Sequence, residues 1–297
     1  MKTAIVTGAA SGIGKGYAVA LVERGYFVLV TDIDAVGAER VAKELDALGP
    51  GRAQAKRVDV TDADAVATAV HEVVDQHGRL DMIFNNAGLA VAGPVEQLGV
   101  EHWRKACEVM VMGVAHGVDA AYKVMVEQGF GHIVNTASVA GLIPAPFMGP
   151  YNMAKHAVVG MTQSLRAEAA PRGVNVTCVC PIAVDTNIVR QTNDGVGAVT
   201  ESILVATLYN RIEPLLHYVP TFLVETPESH GRKVVRAALR NRSFVILPAY
   251  GRALWWLSRL NPVIVTGLGS GLTRVADALR PRVQEQLTTR ASDARIM

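Results

Sequence analysis

Short apolar runs alternate with longer stretches of helical periodicity over most of the chain. The apolar runs predict strands at residues 4–7, 27–31, 53–58, 82–85, 132–136 and 175–180. Between them, the periodicity predicts helices at residues 14–24, 35–48, 62–77, 101–127 and 151–169. Strands that alternate with helices of this length form parallel sheets, and strands that are apolar throughout are covered on both faces. The pattern therefore predicts an α/β fold with a doubly wound parallel sheet and helices on both faces.

The pattern changes after residue 181. Residues 182–230 mix Gly, Pro and Thr with short helical patches, and irregular segments of this length are uncommon unless they are functional. We interpret them as a variable substrate region. A basic helix at 228–240 and a short strand at 244–247 follow. We therefore expect one domain over residues 1–248 and a helical, apolar and basic extension over residues 249–297.

Charge is distributed unevenly along the chain. The net charge of the 297 residues is +2, which gives no general case for nucleic-acid binding. Residues 232–297, however, carry twelve Lys/Arg and three Asp/Glu, a net charge of +9 that leaves −7 for the rest. A basic tail on an acidic body suggests a surface or partner preference.

Cysteine usage and the N-terminus predict a cytoplasmic protein. Cys107, Cys178 and Cys180 do not form a disulfide framework, and we expect thiols in a reducing compartment. The N-terminus runs directly into the first strand, so no secretory signal is predicted. Arginines interrupt the most apolar C-terminal stretch, so a transmembrane helix is not expected there. The histidines lack metal-ligand spacing, and no metal site is expected.

Small residues separate the first strand from the first helix. Residues 7–14 read Thr-Gly-Ala-Ala-Ser-Gly-Ile-Gly. Such a turn lets the backbone approach a pyrophosphate, while the helix N-terminus supplies N–H donors and partial positive charge. Gly triplets alone are weak signals, but this one lies at the first strand–helix turn of an alternating chain. The predicted dinucleotide contacts in this turn are Gly8, Ser11, Gly12, Ile13 and Gly14.

Asp32 ends the second predicted strand, 18 residues past Gly14. A carboxylate there can accept hydrogen bonds from the adenosine ribose hydroxyls and would repel a 2′-phosphate. No Arg or Lys occurs in the next six residues, so NAD(H) is favoured over NADP(H). The alternative is that Asp32 only caps the helix that starts near Ala35.

Tyr151 and Lys155 are four residues apart in a predicted helix and share one face. A nearby ammonium favours phenolate and should lower the tyrosine pKa toward working pH. Ser138 ends a strand at the edge where open α/β sheets bind ligands, and its hydroxyl can hold a substrate oxygen. The alternative is a core tyrosine with a solvated lysine.

Four motifs in order resemble the classical short-chain dehydrogenase/reductase family. They are the glycine segment 7–14, Asn85-Asn86-Ala87-Gly88, Asn135-Thr136-Ala137-Ser138 and Tyr151-Asn152-Met153-Ala154-Lys155. The resemblance implies a Rossmann-type domain that transfers hydride between nicotinamide and an alcohol or ketone. We expect a lipophilic secondary alcohol or its ketone as substrate, and a homodimer or homotetramer.

The resemblance also implies roles for particular residues. Tyr151 would exchange a proton with the substrate oxygen, Ser138 would hold that oxygen, and Lys155 would also hold the nicotinamide ribose. Further cofactor contacts are expected from Asp59, Val60, Asn86, Ala87, Gly88, Pro181, Val184 and Thr186.

Two positions depart from the family pattern. Met110 replaces an asparagine in the fourth helix, and Ile182 replaces the glycine after Pro181. The first departure puts the proton relay beside Lys155 in doubt, and the second can reshape the nicotinamide end of the site. They leave open an alternative function, a catalytically weak NAD-binding regulatory or scaffold protein.

The C-terminal extension also has two interpretations. It contains Trp255, Trp256 and several leucines with arginines between them. A basic helix with Trp and Leu on one face can lie in a membrane interface. Alternatively, the same side chains pack as an arm on the domain or across a subunit interface.

Overall fold

The computed structural model describes residues 1–186, 224–271, 273 and 274. Over these residues seven parallel strands form one sheet in the order β3-β2-β1-β4-β5-β6-β7. The strands are β1 (Thr3–Thr7), β2 (Phe27–Asp32), β3 (Arg52–Arg57), β4 (Met82–Asn85), β5 (Gly131–Thr136), β6 (Val174–Pro181) and β7 (Phe244–Leu247). Each predicted strand is present within one or two residues of its expected bounds.

Helices cover both faces of the sheet, as the apolar strands predicted. They are α1 (Gly12–Val22), α2 (Ala35–Leu48), α3 (Ala63–His77), α4 (Val100–Cys107), α5 (Gly113–Gln128), α6 (Gly149–Ala169), α7 (Pro227–Leu239), α8 (Tyr250–Leu260) and α9 (Pro262–Gly271). One apolar layer lies between the sheet and α1, α2 and α7. A second lies between the sheet and α3, α5 and α6. The doubly wound α/β fold is confirmed.

The strand order reverses between β1 and β4, which opens a crevice at the carboxyl ends of the strands. The glycine segment follows β1, Asn86 follows β4 and Ser138 follows β5. The topology therefore brings three separate motifs of the sequence to one edge of the sheet.

The single helix predicted over residues 101–127 is two helices. A π-helical turn, Glu108–Met112, joins α4 to α5. By length and composition alone, the continuous stretch Val100–Gln128 could cross a membrane, with a mean hydropathy of 1.3. It packs against α3, β4 and β5, and a core helix of an α/β domain passes the same test.

Two glycines let α7 pack closely on α1. A Cβ at Gly16 would overlap the carbonyl of Pro227, and a Cβ at Gly231 would overlap the carbonyl of Gly16. The helix that follows the predicted substrate region is therefore held directly against the helix that begins at the glycine segment.

The predicted division of the chain is only partly visible. Most of the substrate region 182–230 lies outside the described residues. The domain boundary expected at residue 248 stays a prediction, and α8 begins two residues later at Tyr250.

Candidate active site

The glycine segment leaves its backbone open at the edge of the sheet. Gly8 and Gly12 have φ values of 65° and 52°, which favour glycine. A Cβ at Gly14 would overlap the Gly8 carbonyl, so the turn closes only with glycine there. Ser11 precedes α1 in extended conformation and makes no side-chain capping hydrogen bond. The first N–H groups of α1 thus face the segment without a Ser11 cap, as a diphosphate site requires.

The Asp32 carboxylate binds the glycine segment. Its Oδ2 accepts a hydrogen bond from the Ala10 amide at 3.0 Å, and its Oδ1 accepts one from the Asp34 amide at 3.0 Å. Asp34, not Asp32, caps α2, since its Oδ1 accepts from the Gly37 amide at 3.0 Å. The alternative in which Asp32 caps that helix is therefore wrong.

Thr7 and Asn86 tie the turns after β1 and β4 together. Thr7 Oγ1 accepts hydrogen bonds from the amides of Asn86 (2.9 Å) and Ala87 (3.0 Å). Asn86 Nδ2 donates to the carbonyl of Thr7 at 3.0 Å. A Cβ at Gly8 would lie 2.7 Å from Ala87 Cα, so the two turns are in contact. Asn86 thus braces the cofactor crevice as well as lining it.

Asp59 and Val60 lie after β3 at the same edge. Asp59 Oδ1 accepts hydrogen bonds from the Thr61 amide (2.9 Å) and hydroxyl (2.7 Å). The first of these bonds chiefly lowers the pKa of the Asp59 carboxyl. Val60 is buried, and its carbonyl lies 2.9 Å from Nδ1 of His116 on α5. His116 therefore holds the position of a predicted cofactor contact, which its sequence context did not suggest.

Ser138, Tyr151 and Lys155 meet beside this crevice. The Ser138 hydroxyl accepts a hydrogen bond from the Ala140 amide (3.1 Å), donates one to the Pro181 carbonyl (3.5 Å) and lies beside the Tyr151 phenol. Lys155 Nζ lies 5.6 Å from the centre of the Tyr151 ring. The three predicted catalytic side chains are therefore brought together.

Lys155 is buried, so the alternative of a solvated lysine is wrong. Its side chain is inside the domain, and Nζ donates to the Thr136 carbonyl at 2.9 Å. A Cβ at Gly88 would lie 3.7 Å from this Nζ, which places the Asn85–Gly88 motif next to the ammonium. Burial lowers the pKa of Lys155 to about 8.

Burial also determines the direction in which the pKa of Tyr151 is shifted. It raises the pKa of the phenol, and the hydrogen bond to Ser138 offsets this only in part. The expected net lowering of this pKa is thus wrong for the protein chain alone, because burial determines the direction of the shift. The ammonium is itself desolvated and lies several ångströms from the ring, whereas the phenolate would lose its hydration outright. Tyr151 is therefore held as a neutral phenol at physiological pH.

Cys178 and Cys180 are two residues apart in β6 and lie on the same face of that strand. Both are buried and free, and their sulfurs are 3.9 Å apart. The contact with Cys178 and burial raise the pKa of the Cys180 thiol well above its ordinary value. Cys180 is thus a neutral thiol beside the Tyr151 and Lys155 side chains.

Asn152 fixes the loop that carries Ser138. Its Nδ2 donates to the carbonyls of Ala140 (2.7 Å) and Ile143 (2.9 Å). Sequence reasoning did not assign it a role, although a polar residue next to Tyr151 in the motif was a usable signal.

Met110 lies inside the π-helical turn and is fully buried. It packs with Val91, Ala106 and Ala154, and Tyr151 contacts the same cluster. The irregular turn between α4 and α5 thus forms without the asparagine that the family usually has at this position. The replacement of Asn by Met at position 110 therefore does not prevent the π-helical turn.

The residues after β6 lie between the glycine segment and the C-terminal helices. A Cβ at Gly12 would lie 3.3 Å from Thr186 Cγ2, so Thr186 is next to the glycine turn. Val184 forms a parallel bridge with Glu225. Ile182 contacts the start of α8, where a Cβ at Gly251 would overlap its Cδ1. The predicted contacts Pro181, Val184 and Thr186 are therefore on the crevice side of β6.

A buried ion cluster supports this segment and was missed from the sequence. Glu225 Oε2 is 2.7 Å from His230 Nδ1, and its Oε1 accepts from Lys233 Nζ at 2.7 Å. The backbone of Glu225 pairs with Ala183 and Asp185. The one signal in the sequence that could have indicated this contact is the spacing of three residues around the start of α7: Glu225, His230 and Lys233.

Comparison with known proteins agrees with this geometry. Residues 2–197 match the family model of short chain dehydrogenases, so the chain belongs to the short-chain dehydrogenase/reductase family of oxidoreductases. Cyclohexanol dehydrogenase of Acinetobacter sp. (strain SE19) is 36% identical over 191 residues, which cover 64% of this chain and 76% of that protein. SadH of Mycobacterium tuberculosis is 30% identical over 261 residues, covering 87% and 90%.

A solved structure extends the comparison to a cofactor complex. A short-chain dehydrogenase/reductase from Burkholderia phymatum, determined in complex with NAD, superposes with a TM-score of 0.78 at 29% identity. The match covers 89% of this chain and 94% of that one. Together with the glycine crevice, it establishes a nicotinamide dinucleotide as the class of cofactor.

Proposed function

We propose that the protein is an NAD(H)-dependent alcohol dehydrogenase or ketone reductase that acts on a lipophilic secondary alcohol or its ketone. One observation carries the proposal. The hydroxyl of Ser138 lies beside the buried phenol of Tyr151, and the buried Lys155 ammonium lies 5.6 Å from the centre of that ring, next to the glycine turn.

The residues at the crevice fit a dinucleotide. Gly8, Gly12 and Gly14 let the turn close tightly at the N-terminus of α1, so that no side chain of these residues covers its backbone amides. Asp32 lies where a carboxylate can accept hydrogen bonds from the adenosine ribose and would repel a 2′-phosphate, which supports NAD(H) over NADP(H). When bound, the cofactor supplies or accepts the hydride.

Ser138, Tyr151 and Lys155 would control proton transfer to and from the substrate oxygen. The Ser138 hydroxyl can donate a hydrogen bond to that oxygen, which orients it toward Tyr151. Because burial keeps the Tyr151 phenol protonated, it is ready to donate its proton to a ketone oxygen. Lys155, held by the Thr136 carbonyl, stabilises the resulting phenolate by charge. In the oxidative direction the same proton moves back from the alcohol.

An apolar substrate is supported by the loop that follows Ser138. Residues 142–147 read Leu-Ile-Pro-Ala-Pro-Phe, without a charged side chain. The name of the Acinetobacter relative, a cyclohexanol dehydrogenase, points the same way. A site with few polar partners favours a substrate whose single oxygen is its main polar group.

A substrate panel tests the proposal. Purified protein is mixed with NAD+ or NADP+ and with cyclohexanol, longer secondary alcohols and polar polyols, and NAD(P)H absorbance is followed. We expect turnover with NAD+ and the apolar alcohols. Binding of NADH without turnover of any alcohol or ketone would favour the alternative, an NAD-binding regulatory or scaffold protein.

A further inference from the structure

The two helices after β7 are anchored to the domain by one side only. Trp255 of α8 stacks on Phe244 of β7, with ring centroids 5.6 Å apart and planes at 14°. Val265 of α9 is buried, and a Cβ at Gly269 would lie 3.1 Å from Pro146. These contacts hold α8 on the end of the sheet and α9 on the loop after Ser138.

Both helices also present large apolar side chains to solvent. We call this the outer face; it consists of Trp256, Leu260, Val263, Ile264 and Leu268. Trp256 is 59% exposed, Leu260 is 80% exposed and Leu268 is 64% exposed. Trp256 and Leu260 are four residues apart in α8, as are Ile264 and Leu268 in α9, so each pair shares one side of its helix. A contiguous apolar patch of this kind marks an interaction surface.

Basic side chains flank the outer face. Residues 249–274 contain Arg252, Arg259 and Arg274 and no Asp or Glu. Arg252 and Arg259 are exposed on α8, and the Arg259 guanidinium lies 5.4 Å from the centre of the Trp255 ring. The segment that carries the apolar patch thus has a net charge of +3 from three arginines, although the whole chain is nearly neutral.

We propose that the outer face docks on an anionic lipid bilayer, with α8 and α9 lying in the interface. Exposed Trp and Leu flanked by arginines have the composition of an interfacial helix. Burial of the apolar side chains and attraction of the arginines to lipid headgroups act together. A second copy of the chain is a poorer partner, because a symmetric contact through this face would bring arginines of both copies together.

The position of α9 suggests a function for membrane docking. Because α9 contacts Pro146 in the loop after Ser138, docking would bring that loop close to the bilayer. If the proposed function holds, an alcohol dissolved in the bilayer can enter the site without crossing bulk water. The docking itself does not rest on that function, and its test needs no turnover.

Vesicle binding by the full chain tests the proposal. Full-length protein is sedimented with vesicles of phosphatidylcholine, with or without phosphatidylserine, at low and high salt. We expect binding to the phosphatidylserine vesicles that weakens as salt rises. The double variant Leu260→Ser/Leu268→Ser should reduce the partition coefficient by roughly tenfold or more. The matched control, Leu48→Ser/Leu239→Ser, changes two exposed leucines elsewhere and should bind as wild type.

Tryptophan fluorescence gives an independent measurement. The chain has three tryptophans, Trp103, Trp255 and Trp256. Vesicles should shift the emission of the wild type to shorter wavelength, and Trp256→Phe should remove most of this shift while binding persists. Thermal melting reports whether each variant is folded.

Three outcomes would overturn the proposal. The wild type does not bind the anionic vesicles at low salt, or the double variant binds them as well as the control. In the third, the double variant has a lower molar mass than the wild type in size-exclusion chromatography with light scattering, and neither protein binds vesicles. That result would assign the outer face to contact with a second copy of the chain. None of these outcomes bears on turnover of a water-soluble alcohol, so the proposed function is judged separately.

Discussion

The carboxylate of Asp32 accepts a hydrogen bond from the amide of Ala10 at 3.0 Å, which joins the end of β2 to the glycine segment. The side chain thus has two tasks, to shape the turn and to favour the ribose over a 2′-phosphate. We expect the wild type to prefer NAD(H) over NADP(H) by roughly tenfold or more in kcat/KM, which needs only about 1.4 kcal/mol.

Two substitutions separate the tasks of Asp32. Asp32→Ala should shrink the cofactor preference and also raise KM for NAD, because the Ala10 amide loses its acceptor. Asp32→Asn removes the charge but keeps an acceptor oxygen, so it should shrink the preference with a smaller effect on KM for NAD. Steady-state kinetics with both cofactors measure this. A wild type that prefers NADP(H) would show that the role given to Asp32 is wrong.

Tyr151→Phe should lower kcat by roughly 10²-fold or more, because a positioned proton donor contributes on that scale. NADH binding, followed by fluorescence, should be nearly unchanged. Since burial raises the pKa of Tyr151, we expect alcohol oxidation to become faster as pH rises above neutral, while ketone reduction does not. Near-wild-type turnover of Tyr151→Phe would remove this residue from the mechanism.

Burial of the Lys155 ammonium should appear as a pH-dependent penalty on stability. Its pKa is lowered from 10.5 to about 8. Between these values the unfolded chain binds more protons than the native state, so this group makes stability rise with pH. The penalty is fully present below pH 8 and is relieved toward pH 10.5.

Lys155→Met removes that penalty. Its free energy of unfolding relative to wild type should therefore be higher at pH 7 than at pH 10, by about 2 kcal/mol. Denaturant titrations at both pH values measure the difference. Lys123→Met, which changes an exposed lysine on α5, should give the same value at both. A pH-independent result for Lys155→Met would mean that the ammonium is solvated in the native state.

The sequence predicted the sheet well because most of its strands are buried on both faces, the edge strand β3 being an exception. In a chain whose strands alternate with helices, a short apolar run such as that of β1 is expected to form a strand covered by helices on both faces. The π-helical turn at Met110 was not predictable, because it follows no local periodicity and depends on packing against Ala154 and Tyr151.

Candidate site residues were predictable where local motifs carry the chemistry. Tyr151 and Lys155 are four residues apart, so their common face follows from helix geometry. The direction of the Tyr151 pKa was not predictable, since it depends on how deeply the fold buries the phenol. Thr7 and Asn86, and likewise Glu225 and His230, act through contacts that only the three-dimensional structure provides.

Met110 tests whether the departure from the family pattern matters. The side chain is buried among Val91, Ala106 and Ala154, while its backbone forms the irregular turn. Because the turn exists without an asparagine, we expect turnover in both the wild type and Met110→Asn. The variant should lose stability by about 1–3 kcal/mol, since a buried amide would replace an apolar side chain. If only Met110→Asn is active on a given substrate, the regulatory or scaffold alternative gains.

Glu225 should stabilise the segment after β6 through its charge. Burial alone would raise the pKa of its carboxyl, but the hydrogen bonds from His230 and Lys233 outweigh burial and lower it below the ordinary 4.5. The stabilisation is therefore present above that value and is lost as pH falls through the lowered pKa. Glu225→Gln keeps the shape but not the charge and should cost about 1–3 kcal/mol at pH 7. Denaturant titrations at pH 7 and at the lowest pH where both proteins fold should show this difference shrinking in acid. Glu228→Gln, in the first turn of α7 but outside the cluster, should cost little at either pH. An equal cost for Glu225→Gln at both pH values would mean that the packing of the Glu225 side chain, and not its charge, stabilises the segment after β6.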